Sequence, residues 1–269
     1  MVARLLLLHA HPDDEAITTG GLIHSAIFQG AQVMVVTATA GECGEVLNSQ
    51  TPISAGALAK LRSSELAQSL IELGRPQHRW LGGFGKHLDS GMKGDSRNDN
   101  PRALINQDLN VLTKDLIEIF NEFQPDLIVT YEPGGGYGHP DHIKCNQIVL
   151  AALEETKLSI PLLYPVFPQS ESAKLAELAS SGTAFFGEVD LTKMSFIVTD
   201  DEIDFIVPAT AAKLSALLCY RSQIDPAGSF YLRPANFDLS GIELEYFKIA
   251  SGRQCYQVFD RTNPLFGLE

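Results

Sequence analysis

The sequence predicts an α/β fold in which a mostly parallel, Rossmann-like sheet is flanked by helices. Short apolar runs of strand length alternate with longer segments of helical periodicity, which is the pattern of repeated βα units. The composition, 45% hydrophobic and 20% charged, is that of an ordinary globular protein. We expect the 269 residues to form a single domain, with a Rossmann-like core at 1–157 and a less regular portion at 158–269 that adds strands and walls the functional site.

Four buried strands, each followed by a helix, are predicted in the first half of the chain. The predicted strands are 5–9, 32–39, 78–81 and 126–131, and the helices are 12–29, 58–73, 104–123 and a fourth that ends near Glu155. Gly74 ends the second predicted helix and Pro125 ends the third. The continuous apolar character of the fourth strand is typical of a parallel strand covered on both faces.

The remaining segments are less regular. The polar segment 82–101 is longer than a typical connection and is therefore expected to be functional or mobile. Segments 162–167 and 196–207 have strand character, and Asp200-Asp201 indicates a turn between the two halves of the second. Helical spacing returns at 209–220.

Two similar clusters follow predicted strands. Residues 11–15 read His-Pro-Asp-Asp-Glu and residues 139–142 read His-Pro-Asp-His. If both strands belong to one parallel sheet, both clusters emerge at its carboxyl edge, where open α/β sheets bind their ligands. We therefore expect the two clusters to converge.

Each proline predicts the local geometry of its cluster. Proline favours the first helical position, so His11 and His139 are expected at the two N-caps. Asp14 and His142 then occupy the third helical position, which faces back toward the cap. Caps are usually Ser, Thr, Asp or Asn, so histidine at both caps favours a role beyond capping.

Imidazole and carboxylate groups at one point predict a metal site. A catalytic zinc site uses three protein ligands and leaves one position open, and the two clusters offer His11, Asp14 and His142 for this purpose. The same set suits non-haem iron, so the metal remains open between Zn²⁺ and Fe²⁺. Three further side chains of the clusters remain for acid and base chemistry: Asp13, His139 and Asp141.

Charge and cysteine content exclude several classes of function. The net charge of −13 argues against nucleic acid and against anionic membrane as partners. The apolar run at the N-terminus is too short for a signal peptide or a membrane span, so we expect a cytoplasmic protein. The four cysteines have no Cys-x-x-Cys spacing, which favours neither a thiolate zinc site nor disulfides: Cys43, Cys145, Cys219 and Cys255.

The clusters resemble the zinc-dependent N-deacetylase family known as LmbE-like or PIG-L-like. The resemblance rests on segments 10–15 and 135–142 and extends through Arg-Ser-Ser-Glu-Leu at 62–66 and Asp-Ser-Gly-Met at 89–92. The last element is most similar to the branch that deacetylates N-acetylglucosaminyl-inositol in mycothiol biosynthesis and to the mycothiol conjugate amidases. The resemblance implies the same metal ligands, His11, Asp14 and His142.

The resemblance also implies catalytic roles. Asp13 would be the general base, and His139 would stabilise or protonate the departing group. Asp141 would orient His139, and Tyr137 would help to polarise the amide oxygen. The implied reaction removes an acetyl group from a small molecule that contains N-acetylglucosamine and yields acetate and a free amino sugar.

The substrate side carries one departure from the family. Arg62 and Asp89 resemble residues that grip the sugar, and Glu42 and Met92 are also expected to contact substrate. Some relatives have two consecutive glutamates where this chain has Glu42-Cys43, which leaves the group attached to the sugar open. The resemblance also allows a homo-oligomer.

Several alternatives stay open. Without the resemblance, Arg62 is interpreted as a surface ion-pair partner of Glu65, three residues further along a helix. Residues 9–13 resemble part of the pattern of dinuclear metallo-β-lactamase-like hydrolases, but Asp14 stands where that pattern ends in histidine. Cleavage of mycothiol-type thiol conjugates and a non-catalytic metal-binding or sugar-binding role are the alternative functions.

Overall fold

Strands from both halves of the chain join one sheet. The computed structural model describes residues 2–44, 46–48, 53–172, 194–223 and 243–251. The strands are β1 Arg4–His9, β2 Gln32–Thr37, β3 Gln77–Trp80, β4 Leu127–Val129, β5 Leu162–Pro168, β6 Ile197–Val198, β7 Phe205–Pro208 and β8 Leu244–Ser251. The α-helices of these ranges are α1 Asp14–Phe28, α2 Ala55–Glu72, α3 Leu109–Phe123, α4 Pro140–Thr156 and α5 Ala211–Leu217.

The sheet has the strand order β3-β2-β1-β4-β5-β8-β7, and β6 pairs with β5 outside this path. Strands β1 to β5 are parallel to one another, whereas β8 runs antiparallel to both β5 and β7. The predicted mostly parallel sheet is therefore confirmed. The order reverses at β1, which lies between β2 and β4, and such a switch point opens a crevice at the carboxyl ends of the two central strands.

Side chains of β1 fill the core on both faces of the sheet. Leu5 and Leu7 pack in a cluster with residues of α1, α2 and α5, whereas Leu6 and Leu8 pack in a second cluster with residues of α3 and α4. All four are fully buried, as expected for a central parallel strand. The helices that carry the two sequence clusters, α1 and α4, thus lie on opposite faces and begin at the same edge.

The start of α1 differs from the prediction. His139 is the N-cap of α4 as predicted, but the N-cap of α1 is Asp13 rather than His11. The reason is the backbone of Asp13, whose φ of 99° lies in the left-handed region and turns the chain before the helix begins. Asp14 is consequently the first helical residue.

Two other elements also differ from the predicted pattern. The predicted helix 104–123 is divided into a 3₁₀ turn, Leu104–Asn106, and α3, because Asp108 caps a new helix by accepting from the Asn110 backbone N–H at 2.8 Å. The halves of 196–207 do not form a hairpin, since β6 pairs with β5 and β7 pairs with β8. Backbone pairing to distant strands therefore overrides the local turn signal.

A buried ion pair fastens β8 and α5 to α1. Glu245 accepts hydrogen bonds from the backbone N–H groups of Gly21 at 2.8 Å and Leu22 at 2.9 Å, and from Lys213 Nζ at 2.7 Å. Lys213 is 2% exposed and Glu245 is 4% exposed. Helix α1, which begins in the first cluster, is thus held by a strand from the far end of the chain.

Two further observations concern membrane spans and cysteines. None of the helices in the described ranges combines the length and the apolar composition that crossing a bilayer requires. Cys43, Cys145 and Cys219 carry free thiols, and Cys255 lies outside the described residues.

Candidate metal centre

The two clusters converge, as predicted, at the carboxyl ends of β1 and β4. His11 Nδ1 lies 3.3 Å from Asp14 Oδ2, and His142 Nε2 lies 3.4 Å from Asp14 Oδ1. All three side chains are buried. Asp14 therefore joins a histidine of the first cluster to a histidine of the second.

The donor atoms fit a divalent metal ion. Ligands about 2.0–2.1 Å from a tetrahedral zinc ion lie roughly 3.3 Å from one another, which is close to the 3.4 Å between His142 Nε2 and Asp14 Oδ1, whereas His11 Nδ1 lies beside the other oxygen of Asp14. His142 Nε2 is buried and makes no hydrogen bond within the described residues, so a polar atom is left for an external partner. Nitrogen and carboxylate oxygen are ligands that zinc and iron both accept.

Two groups of three side chains bring one nitrogen or carboxylate oxygen each within 4.8 Å of one another. They are His11, His139 and His142, and His11, Asp89 and Asp141. His11 belongs to both, because its two ring nitrogens face different partners. Either group could hold a metal ion, but neither is the predicted set of His11, Asp14 and His142, although Asp14 contacts both of these histidines.

The second nitrogen of His11 faces carboxylates. His11 Nε2 lies 3.2 Å from Asp141 Oδ2 and 3.0 Å from Asp89 Oδ1, and Asp141 Oδ2 also accepts from the Ser90 backbone N–H at 2.8 Å. Metal-binding histidines commonly donate their other N–H to such a carboxylate. The carboxylate of Asp141 thus contacts His11, whereas its contact with His139 is made by its backbone N–H.

Charge complementarity stabilises these ionised groups. Burial alone would lower the pKa of His11, but the carboxylates of Asp89, Asp14 and Asp141 outweigh it and raise this pKa well above its ordinary value. Burial would raise the pKa of Asp14, but His142 and His11 lower it well below its usual range. Asp14 is therefore a carboxylate, the form that binds a metal.

Asp13 lies beside this group and is paired with Arg62. Arg62 Nη2 donates to Asp13 Oδ2 at 3.1 Å, and Arg62 Nη1 donates to the carbonyl of Gly41 at 2.8 Å. Burial raises the pKa of Asp13 to about 7, against the opposing effect of the Arg62 charge. A Cβ at Gly41 would lie 2.1 Å from Arg62 Nη1, so glycine is required for this close approach.

The alternative interpretation of Arg62 as a surface ion pair is wrong. Arg62 is only 4% exposed, and the carboxylate of Glu65 accepts instead from Ser222, through its backbone N–H at 2.7 Å and its hydroxyl at 2.6 Å. Helical spacing alone could not distinguish these partners, because both α2 side chains reach across to other elements.

Glu15 holds the backbone of Asp13 and was not singled out in the sequence. Its Oε2 accepts from the Asp13 N–H at 3.1 Å. Its Oε1 accepts from the Ser69 hydroxyl at 2.6 Å and from the Tyr220 hydroxyl. Helices α1 and α2 and the segment that follows α5 thereby meet at the left-handed turn.

His139 and Tyr137 border the same space. His139 Nδ1 accepts from the Asp141 backbone N–H at 3.2 Å, which places the proton of the neutral ring on Nε2. Burial, followed by the charges of His11 and His142, lowers the pKa of His139 to about 2. The half-buried ring of Tyr137 lies edge-on to His142, with ring centres 5.2 Å apart.

The predicted substrate residues are only partly brought together. Glu42 Oε1 accepts from the Asp89 N–H at 3.1 Å, and the Cys43 N–H donates to Asp89 Oδ2 at 3.0 Å. Asp89 thus joins the long polar segment to the turn after β2 and to His11. Met92 instead lies on the surface of its loop and is 45% exposed.

Tyr131 is a second residue that the sequence did not reveal. Its hydroxyl donates to Asp14 Oδ2 at 2.7 Å, and its ring stacks on His142 with centres 3.9 Å apart and planes 12° apart. It ends the apolar run that includes β4, so the sequence pattern gives it only the role of a core residue.

Sequence comparisons identify relatives of this chain. The sequence profile described as PIG-L, GlcNAc-PI de-N-acetylase, matches residues 6–153. The 1D-myo-inositol 2-acetamido-2-deoxy-alpha-D-glucopyranoside deacetylase of Acidothermus cellulolyticus is 35% identical over 99% of this chain and 95% of its own.

Solved structures share the fold at low sequence identity. N,N'-diacetylchitobiose deacetylase of Pyrococcus horikoshii superimposes with a TM-score of 0.57 and 22% identity, covering 93% of this chain and 84% of its own. The 4-carboxy-2-hydroxymuconate hydratase GalB of Pseudomonas putida gives 0.60 and 15%, covering 93% and 96%. The fold therefore accommodates different activities, and the profile match and the near full-length similarity decide the assignment: the chain belongs to the PIG-L family of GlcNAc-PI de-N-acetylases.

Proposed function

We propose that the protein is a metal-dependent N-deacetylase that hydrolyses the acetamide of an N-acetylglucosaminyl-inositol and releases acetate and a free amino sugar. One arrangement carries this proposal: a buried carboxylate, Asp13, stands next to the donor group His11, Asp14 and His142. The named activity of the Acidothermus cellulolyticus relative supports the choice of substrate.

The proposed ligands are His11, Asp14 and His142, and the proposed metal is zinc. A bound zinc ion supplies Lewis acidity, which polarises a carbonyl and makes water a better nucleophile at neutral pH. Contact between His11 Nε2 and Asp141 leaves His11 Nδ1, which lies 3.3 Å from Asp14, for the metal. Iron would suit the same ligands, so metal analysis is part of the test.

Asp13 is proposed as the general base. A base works best when its pKa lies near the operating pH, and burial raises that of Asp13 to about 7. In this role its carboxylate takes the proton of the attacking water as the carbon–oxygen bond forms. Arg62 is proposed to hold this carboxylate in place and ionised, rather than to grip the sugar directly.

His139 is proposed to act as a neutral hydrogen-bond donor. Because Nδ1 accepts from a backbone N–H, its Nε2–H is available to stabilise the tetrahedral species or the departing nitrogen. The proton on Asp13 can then pass to that nitrogen as the carbon–nitrogen bond breaks, which balances the hydrolysis. Tyr137 is proposed to donate to the developing oxyanion.

The sugar is proposed to lie against Asp89 and Glu42. Asp89 is buried at the junction of the polar segment and the turn after β2, where its carboxylate borders His11. Met92 is proposed to reach a larger substrate from the exposed loop. Carboxylates at this position are suited to sugar hydroxyl groups as hydrogen-bond acceptors.

The test is hydrolysis by the purified chain with defined metal content. Zinc-loaded and chelator-treated protein are incubated with N-acetylglucosaminyl-inositol, with free N-acetylglucosamine and with a mycothiol-type thiol conjugate, and acetate and free amine are measured. We expect equal amounts of both products from the inositol compound, only with metal. Stoichiometric zinc without acetate release from any acetamide would refute the proposal, and cleavage of the conjugate alone would favour the amidase alternative.

A further inference from the structure

We propose that Tyr131 is a positioning residue of the metal site, which fixes Asp14 and His142 relative to each other so that Asp14 presents a single oxygen to the metal. This inference rests on the metal ligands of the proposed function. Tyr131 belongs to neither sequence cluster, yet it contacts both of them.

The hydroxyl of Tyr131 both accepts and donates a hydrogen bond. It accepts from the Ala10 backbone N–H at 2.9 Å and donates to Asp14 Oδ2 at 2.7 Å. Ala10 directly follows β1, and Tyr131 lies two residues beyond β4. A single oxygen atom thus bridges the ends of the two central strands, next to the start of the first sequence cluster.

These contacts differentiate the two oxygens of Asp14. Oδ2 accepts from the Tyr131 hydroxyl and also from the His11 backbone N–H at 2.9 Å. Oδ1 is the oxygen that lies 3.4 Å from His142 Nε2. Oδ2 also lies 3.3 Å from His11 Nδ1, so with these three contacts the carboxylate cannot rotate freely, and Oδ1 is the oxygen left for a metal.

The ring of Tyr131 orients the histidine of the other cluster. It stacks on His142 with ring centres 3.9 Å apart and planes within 12°. Among the described residues His142 Nε2 makes no hydrogen bond and has only the 3.4 Å contact with Asp14 Oδ1, so the stack is a main contact that orients the ring plane. Both contacts come from one rigid side chain that is itself buried.

Loss of the hydroxyl should therefore weaken metal binding without removing a ligand. Changes to residues that hold metal ligands in place typically cost about 10- to 100-fold in metal affinity. Tyr131→Phe keeps the stack and removes the hydrogen bonds to Asp14 and to the Ala10 backbone N–H. Tyr131→Leu removes both contacts and should weaken binding further.

The experiment measures zinc affinity by competition with a chromophoric chelator for the wild type, Tyr131→Phe and Tyr131→Leu. Tyr164→Phe is the matched control, because Tyr164 is buried in the same core and its hydroxyl bonds to Asn146 at 3.1 Å. We expect a loss of roughly 10- to 100-fold for Tyr131→Phe and no change for the control. The visible spectrum of the cobalt-loaded protein should also change in Tyr131→Phe, because Oδ2 of Asp14 loses one of its two hydrogen bonds and can then approach the metal as well.

The outcomes separate this inference from the proposed function. If the wild type binds no zinc, the proposed ligand set fails and this inference fails with it. If the wild type binds zinc and Tyr131→Phe matches it in affinity and cobalt spectrum, only the role of Tyr131 is overturned. If melting of the metal-free protein shows that Tyr131→Phe is unfolded, Tyr131→His keeps a ring and a donor and must then bind zinc more tightly than Tyr131→Leu.

Discussion

Replacement of Arg62 by methionine should shift the acidic limb of the pH–rate profile to higher pH. The Arg62 guanidinium lies 3.1 Å from Asp13 Oδ2, and both side chains are buried. Its charge is the largest effect that opposes the rise in the pKa of Asp13 caused by burial. Without this charge the pKa of Asp13 rises further, so the base stays protonated until a higher pH.

The size of the shift follows from the distance. Two unit charges 3.1 Å apart interact by about 5 kcal/mol at an effective dielectric constant of ~20. Water and rearrangement reduce this, and an aspartate beside an arginine typically has its pKa lowered by roughly 1 to 3. Because a change of one in pKa is a factor of ten in ionisation, kcat/KM below the limb should fall by about 10- to 1000-fold.

The assay is the pH dependence of kcat/KM for acetate release, from mildly acidic to alkaline conditions, with zinc saturating throughout. Arg62→Met should regain activity as the pH rises. Arg62→Lys is the control, because it keeps a positive charge near Asp13 and should leave the limb close to that of the wild type. Zinc content is measured for each variant.

A profile of Arg62→Met that keeps the wild-type limb would refute this reasoning. If KM alone increased, Arg62 would act on the sugar, as the family resemblance implies, and not through Asp13. An equal loss of activity at every pH would instead indicate that the geometry of the turn before α1 has changed.

Three further predictions concern the site and its support. Asp13→Asn should keep its zinc in elemental analysis while kcat falls by about 10²- to 10⁴-fold, since it removes only the base; near-normal turnover would exclude Asp13 from this role. His142→Ala should lose zinc, and full occupancy would contradict its assignment as a ligand. Lys213→Met should lower the free energy of unfolding by about 3–5 kcal/mol in urea titrations, because it leaves Glu245 charged and buried without its cation. Adding Glu245→Gln should recover part of that loss, and strictly additive effects would show that the two side chains are not coupled.

The convergence of the two clusters could be predicted because it depends on strong, local patterns. An apolar run followed by His-Pro indicates a strand and then a helix, and parallel strands end at one edge of a sheet. This pattern alone predicts that His11 and His142 lie near each other. The second cluster also has the predicted cap at His139, because proline fixes the first helical position.

The parts that were not predicted depend on tertiary contacts. The left-handed φ of Asp13 is held by Glu15 and Arg62, whose partners cannot be inferred from spacing. The hydroxyl of Tyr131 finds Asp14 only because β1 and β4 are neighbours in the sheet. From the sequence, a tyrosine at the end of an apolar run is predicted only as a core residue, because the partner of its hydroxyl is not known.

The position of β8 has a consequence for the order in which the molecule is assembled. This strand comes last among the described elements, yet it lies inside the sheet between β5 and β7. Its Glu245 bonds to the backbone of Gly21, 224 residues earlier. Contacts between such distant segments form slowly, since a long loop must close first. A nascent chain therefore carries α1 without the hydrogen bonds of Glu245 until β8 has been synthesised, and this support of the cleft between α1 and α4 is a late event in folding.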